Sequence, residues 1–395
     1  MTPSRPTSGG PGSDIPPRKT AFGWNSPAVR AFAWQAVILG AVVALGAWFV
    51  WNALSALAAR GIATGFGFLE TPAGFDISES PIPFSPSDSY LRAYAVAVLN
   101  TVKVSVLAIV FATLLGTFVG IARLSTNWLV ARCALLYVEL FRNTPQLLQI
   151  VFWYVVISRL PRPRQALAPI DGVFFHNRGL NVAVPAADPL HLWMFAAFVA
   201  GCAGAWLLRR HARARGRLPR SLRTSLALVI GPPLLVWLAG GAPLAWDVPR
   251  LQGFNFRGGF VVNPEFLALM LGLSLYIAAF IAEIVRSGIQ SVGRGQTEAA
   301  RSLGLGRGQI YRLVVLPQAL RVMVPPATNQ YVSLTKNSTL GVAIGYPEII
   351  NIGNTTISQT GHTVEGIAMI MVFYLALSFA ISGLMNLYNR RLGTA

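Results

Sequence analysis

Glu298-Ala-Ala-Arg-Ser-Leu-Gly304 and the following Val314-Val-Leu316-Pro317 lie between two long apolar runs. The segment is short, polar and helix-forming. Ala299 and Ala300 keep one helix surface small, so a partner surface can come close. Gly304 and Gly306 supply a sharp turn with positive φ. Arg307 to Leu313 is expected to form a second short helix, and Pro317 stands where the next apolar run begins, a position that tolerates a residue without an N–H. A chain that otherwise crosses a membrane has little reason to build a helix pair into a loop unless something docks there.

The rest of the chain is membrane-like. Of 395 residues, 54% are hydrophobic and 12% charged, where soluble domains carry about 25% charged residues. This composition marks a polytopic membrane protein, an all-α bundle. The net charge of +18 does not indicate nucleic acid, because the basic residues cluster in short segments between apolar runs, as in loops facing the cytoplasm. Cys133 and Cys202 lie in or beside apolar runs, which argues against a disulfide framework. His176, His191, His211 and His362 lack ligand-like spacing, so neither a metal site nor a cofactor is expected.

A crossing helix needs about 20 apolar residues. Eight candidates occur, at about 33–57, 94–121, 134–157, 191–208, 224–241, 266–288, 314–335 and 364–387. Residues 1–32 are rich in Pro, Gly and Ser and read as a disordered tail. The first run is too long for a signal-peptide core and reads as an uncleaved span. Arginines gather between spans two and three, four and five, six and seven, and after span eight. With eight spans, all of these segments fall on the cytoplasmic side, together with both termini. Glu70, Asp76, Glu79 and Asp88 fall outside, whereas Arg159, Arg162 and Arg164 are an exception at a membrane edge. The segment at about 242–264, with Trp246, Phe254, Phe256 and Phe260, suits the outer interface. Charge counting alone thus puts residues 298–317 on the cytoplasmic side.

No catalytic constellation is present. A P-loop needs a Gly-Lys pair to cradle phosphate, and none of Lys19, Lys103 and Lys336 follows a glycine. Neither G-x-S-x-G nor H-E-x-x-H occurs.

The 298–317 stretch resembles the cytoplasmic coupling loop of ATP-binding cassette importer permeases. Glu298, Ala299, Ala300, Gly304, Val314, Leu316 and Pro317 match its E-A-A, G and L-P spacing, with Val314 where Ile is commoner. Tyr137-Val-Glu139-Leu-Phe141-Arg142-Asn143-Thr144-Pro145 through Gln149 is similar to a signature of the polar amino acid permeases, with Asn143 in place of Gly. Asn329 to Leu340, containing Ser333, Lys336 and Ser338, resembles the segment after the coupling loop in the same family, and Asn100-Thr101 resembles the polar pair opening its core. The resemblance covers residues 94–388, a type I importer core of five spans. It is interrupted at about 158–262 by an insertion similar to that of the long permeases of general L-amino-acid and glutamate/glutamine/aspartate/asparagine transporters. Residues 33–93 hold the first span and an outer loop.

The resemblance implies a permease subunit of an amino acid importer in the bacterial inner membrane, embedded in lipid. Its implied partners are separate ABC ATPase subunits, a second and paralogous permease, and a periplasmic binding protein. It also implies candidate pathway residues Asn100, Thr101, Glu139, Arg142, Asn143, Thr144, Gln149, Asn329, Ser333, Lys336 and Ser338. The residues themselves leave plainer roles open. Glu139 and Arg142, at i and i+3, can pair on one helix face; Lys336 can snorkel from a helix end; Asn100-Thr101 can bond between helices. A passive channel or scaffold is the competing reading, distinguished by needing no ATPase.

Overall fold

The computed structural model describes residues 27–59, 64–186, 188–214, 222–241 and 245–393. The N-terminal residues 1–26 and Arg215, Arg217 and Arg220 of the expected basic loop lie outside these. The chain divides into two units, residues 1–66 and 67–395. The first contains α1 (Pro27–Ala59), a helix with large apolar side chains such as Trp34, Leu39 and Trp51 exposed.

In the second unit the helices are α2 (Tyr90–Ala122), α3 (Trp128–Asn143), α4 (Gln146–Ser158), α5 (Pro189–Ala214), α6 (Leu222–Ala239), α7 (Pro264–Gln290), α8 (Arg294–Ser302), α9 (Arg307–Ile310), α10 (Leu316–Asn337), α11 (Ile349–Thr360) and α12 (Thr363–Gly393). All eight apolar runs are helical. Five of the helices are long and apolar enough to cross a membrane: Val29–Asn52, Tyr90–Ala122, Pro189–Leu208, Pro264–Gln290 and Thr363–Arg390. α4 and α6 are shorter apolar helices, and α10 is too rich in Pro, Asn, Gln, Ser and Thr to qualify by composition.

Two departures from the sequence reading are local. The third run is two helices, because Thr144 is extended (φ −102°, ψ 137°) before Pro145, as a residue preceding proline prefers. The second is α11, a helix between the last two runs whose polar Asn, Thr and Gln hide it from a hydropathy reading.

The core forms around α7, which packs against α2, α4, α10 and α3. Each of its main crossings is made close by a glycine. On α2, a Cβ at Gly116 would lie 2.7 Å from the Ala278 carbonyl oxygen, and one at Gly120 would lie 2.7 Å from that of Ala282. Ala108 and Ala112 extend this stripe of small residues and are fully buried. Gly272 of α7 faces Ile150 of α4, and Gly288 faces Met323 of α10. Lipid tails are as apolar as Leu, so helices in a bilayer gain by approaching closely enough for dense van der Waals contact, and small residues allow this.

The segment expected as an insertion holds a pair of helices, α5 and α6, packed on each other, with Gly201 against the Leu228 carbonyl. The segments before and after the pair are knitted together as strands. These are β1 (Leu167–Ile170), β2 (Val173–His176), β3 (Gly179–Val182) and β4 (Val184–Pro185) on one side, and β5 (Trp246–Asp247), β6 (Arg250–Gln252), β7 (Asn255–Arg257) and β8 (Phe260–Val262) on the other. One antiparallel sheet has the order β1-β2-β3-β8, with Leu180 opposite Val262, while β4 pairs with β5 and β6 with β7. In the aromatic 242–264 segment, Trp246, Phe254 and Phe260 are exposed, but Phe256 is buried and stacks on Phe174 and His176.

His176 holds the β2–β3 turn. Its Nδ1 accepts the Arg178 N–H (3.1 Å), so the ring proton sits on Nε2 and bonds Asn181 Oδ1 (2.7 Å). Burial pushes its pKa below the ordinary histidine value; the Arg178 charge adds to this and the Asn181 bond opposes it. The neutral ring therefore stabilises the turn above the unfolded-state pKa of about 6.5, and that contribution is lost as pH falls below it.

Two measurements check these contacts. Gly120→Leu should destabilise the purified protein by about 1–3 kcal/mol in thermal unfolding, while Gly46→Leu, with nothing near it, should not. Amide exchange at Phe174–Val182, corrected for intrinsic rates, should rise as pH falls from about 6.5, and His176→Asn should flatten that dependence.

Candidate functional site

The loop after α7 folds as a compact bracket. α8 ends at Ser302 with Leu303 capping it, and Gly304 adopts φ +78°, which lets the Leu305 N–H reach back to the Ala300 carbonyl (3.2 Å). Gly306 does not share that conformation: its φ is −70°, and its N–H donates to Gln309 Oε1 (3.0 Å) at the start of α9. The expected second helix runs without a stop through a π turn (Tyr311–Val315) into α10. Pro317 explains the π turn. It has no N–H for the carbonyl four residues back, and its ring crowds that carbonyl, so the local register widens. Ala300, Ile310 and Val315 bury together against Ile289 and Val292, which fixes the bracket to the last turn of α7. Glu298, Ala299, Leu316 and Pro317 remain exposed. So does Leu303, at 81%, a bulky apolar side chain at the tip that the spacing argument passed over.

Just above the bracket, Glu283 of α7 binds both Arg286 on the next turn and Arg123 at the end of α2. The triad links α2 to α7 at the bracket end of the bundle.

The polar residues picked from the sequence separate into two groups. The first is buried and bonded within the protein. Asn100 Nδ2 donates to the carbonyls of Glu79 (2.7 Å) and Pro347 (3.0 Å), and Thr101 Oγ1 accepts the Ile349 N–H (3.2 Å). Together they clamp the segment entering α11 onto α2. Gln149 Nε2 donates to Phe141 O (3.0 Å), Thr144 O (3.2 Å) and Thr144 Oγ1 (2.6 Å), spanning the break between α3 and α4. Ser338 Oγ donates to the Thr335 carbonyl (2.7 Å) at the end of α10. The second group is exposed in the single chain: Glu139, Arg142, Asn143, Asn329, Ser333 and Lys336. The expected Glu139–Arg142 pair does not form. Glu139 takes a hydrogen bond from Asn143 Nδ2 (3.0 Å), and Arg142 lies over the Phe280 ring, 5.1 Å from its centroid. Four residues of spacing and a nearby aromatic face compete with the i,i+3 pairing.

The two motif segments meet. Asn337 Nδ2, at the end of α10, donates to Gln146 Oε1, at the start of α4 (2.6 Å). Both are helix breaks: α4 begins after the Thr144-Pro145 interruption, and α10 gives way to the 3₁₀ turn Ser338–Ile344, closed by Gly345 at φ +78°. Beside this junction, Gln146 Nε2 and Gln149 Oε1 are buried with no hydrogen-bond partner. Discontinuous helices with free polar groups at their junction are how membrane transporters present ligands to backbone and amide groups.

Glu348 was not singled out from the sequence. It is fully buried, caps α11 by accepting the Asn351 N–H (2.9 Å), and accepts the Tyr374 hydroxyl of α12 (3.0 Å). The legible signal was a carboxylate immediately before an apolar helix start. A second, half-buried tie joins Glu79 to Lys103 of α2 and to Asn263 Nδ2 (3.2 Å), holding the loop before α2 against α2 and the start of α7.

A helical membrane bundle with helix breaks facing one another and a bracketed loop at one end defines a transport permease. The sequence model of the binding-protein-dependent transport system inner membrane component family matches residues 108–394, and the chain belongs to that family. It is a multi-pass inner-membrane protein. It is 47% identical over 95% of its length to a putative amino-acid ABC transporter permease protein of Escherichia coli, 97% of which is covered. It is 42% identical to a general L-amino acid transport system permease protein of Rhizobium johnstonii, covering 94% of this chain and 95% of that one. It is 40% identical to a glutamate/glutamine/aspartate/asparagine transport system permease protein of Rhodobacter capsulatus, covering 91% and 93%.

Glu348→Ala removes the cap of α11 and strands the Tyr374 hydroxyl. Thermal unfolding should show a loss of about 1–3 kcal/mol, and Tyr374→Phe in the same background should add less than it costs alone.

Proposed function

We propose that this chain is the permease subunit of an ATP-driven importer of L-amino acids, with polar and acidic side chains the favoured class. The observation that carries the reading is the bracket at Arg294–Val315: a rigid polar helix pair, anchored to α7, that ends in an exposed apolar tip. Such a part is suited to a partner that pushes and pulls. The chain has no phosphate-binding loop of its own, so separate ABC ATPase subunits supply the energy. The substrate class follows from the relatives' names and near-full-length coverage in both directions.

In this reading both termini and the bracket face the cytoplasm, and the strands around the insertion face the periplasm, where a binding protein delivers the amino acid. A second, paralogous permease completes the pathway. The exposed polar residues Glu139, Arg142, Asn143, Asn329, Ser333 and Lys336 would lie toward that pathway or partner, since charged groups within a membrane are costly elsewhere. Asn100, Thr101, Thr144, Gln149 and Ser338 would position the helix breaks, leaving the free amide groups of Gln146 and Gln149 nearest a passing substrate. Closure of the ATPases moves the bracket, and α7 carries that motion to α2, α4 and α10.

The test is uptake of radiolabelled L-amino acids, with unlabelled competitors, by the reconstituted complex. Gly304→Val puts a β-branched residue at positive φ, costing about 1–2 kcal/mol locally with open space around the new side chain. Uptake should fall at least tenfold while the assembled complex still hydrolyses ATP; unchanged uptake would refute the coupling role.

A further inference from the structure

Beneath the strands that flank the insertion lies a hollow of about 420 Å³, walled on one side by the β2–β3 turn, β7 and β8, and on the other by the ends of α4 and α7. That volume is within the range of small-molecule sites. Its two charged residues have opposite sign and do not neutralise each other. Glu265, in the first turn of α7, meets only the Tyr154 hydroxyl (3.4 Å) among the contacts described. Arg178, on the β2–β3 turn, has no carboxylate within ion-pair distance among the described residues. Asn177 Oδ1 is buried with no hydrogen-bond partner. Phe256, backed by His176, supplies a flat apolar wall.

We infer that this hollow is a binding site for a free α-amino acid in its zwitterionic form, separate from the helix-break junction. The ammonium group would meet Glu265 and Asn177 Oδ1, the carboxylate would meet Arg178, and the side chain would lie along Phe256. A ligand carrying one charge of each sign satisfies two walls that a simple anion or cation would leave half unpaired. The site rests on the importer reading, in which this face is periplasmic. It also gives the insertion a task, since the residues that build the outer wall come from the segments just before α5 and just after α6.

The test uses the permease–ATPase complex in nanodiscs without its binding protein, and radiolabelled L-glutamine as probe. Saturable binding is expected. Arg178→Gln and Glu265→Gln should each weaken it at least tenfold, and N-acetyl-L-glutamine and L-glutamine methyl ester should compete poorly. Arg178 is exposed on a turn, so its variant tests the site with little risk to folding, and size-exclusion profiles check both variants. No saturable binding, or binding indifferent to both substitutions, overturns the inference. Uptake by the wild-type complex with binding protein separates the two ideas: if uptake proceeds while nanodisc binding fails, only this site falls; if uptake is absent, the importer reading falls.

Discussion

The close approach of α2 to α7 governs the architecture. In a bilayer, Leu against Leu gains nothing over Leu against lipid, so a specific bundle must rely on contacts lipid cannot make. Gly116 and Gly120 present backbone rather than side chain to Ala278 and Ala282, and the fully buried Ala108 and Ala112 continue the small-residue stripe along α2. Gly272 and Gly288 do the same for α4 and α10. α7 is therefore a spine with its neighbours at minimal distance, where a displacement of one helix is felt by the others because no soft layer of side chains separates them. The bracket at Arg294–Val315 grows from the end of that spine and is cemented to it by Ile289 and Val292.

The ends of the bundle are secured by polar contacts of a different kind. At the bracket end, one carboxylate, Glu283, serves two arginines from two helices. At the opposite end, Glu79, Asn100, Thr101 and Glu348 stitch a loop and the start of α11 to α2, α7 and α12. The polar residues that the family resemblance marks as pathway candidates thus divide by burial. Those buried or half-buried spend their hydrogen bonds holding breaks and caps, and those exposed in the single chain remain for solvent, substrate or another subunit.

Much of this was legible in sequence for physical reasons. Apolar runs long enough to cross a membrane gave the helices, but not the full break that an extended Thr144 before Pro145 makes in the third run. The E-A-A spacing foretold the bracket and the positive φ of Gly304, but assigned the same freedom to Gly306, which does not use it. The small-residue stripe on α2 went unread because glycine and alanine look unremarkable inside an apolar run; only the facing helix gives them meaning. The strands at 167–185 and 246–262 pair across about 60 to 80 residues, and no local pattern specifies a partner so distant. Glu348 and α11 were masked by a polar segment that seemed a mere connection.

The proposed coupling role puts the exposed Leu303 tip against a separate ATP-binding subunit. Its most direct test is a cysteine at Leu303, with Cys133 and Cys202 replaced by serine, treated with a short bifunctional thiol reagent in membranes expressing the whole complex. A cross-linked product containing an ATP-binding subunit, whose yield changes with nucleotide, is the expected result. A product lacking any such subunit, with the complex otherwise assembled, would contradict it.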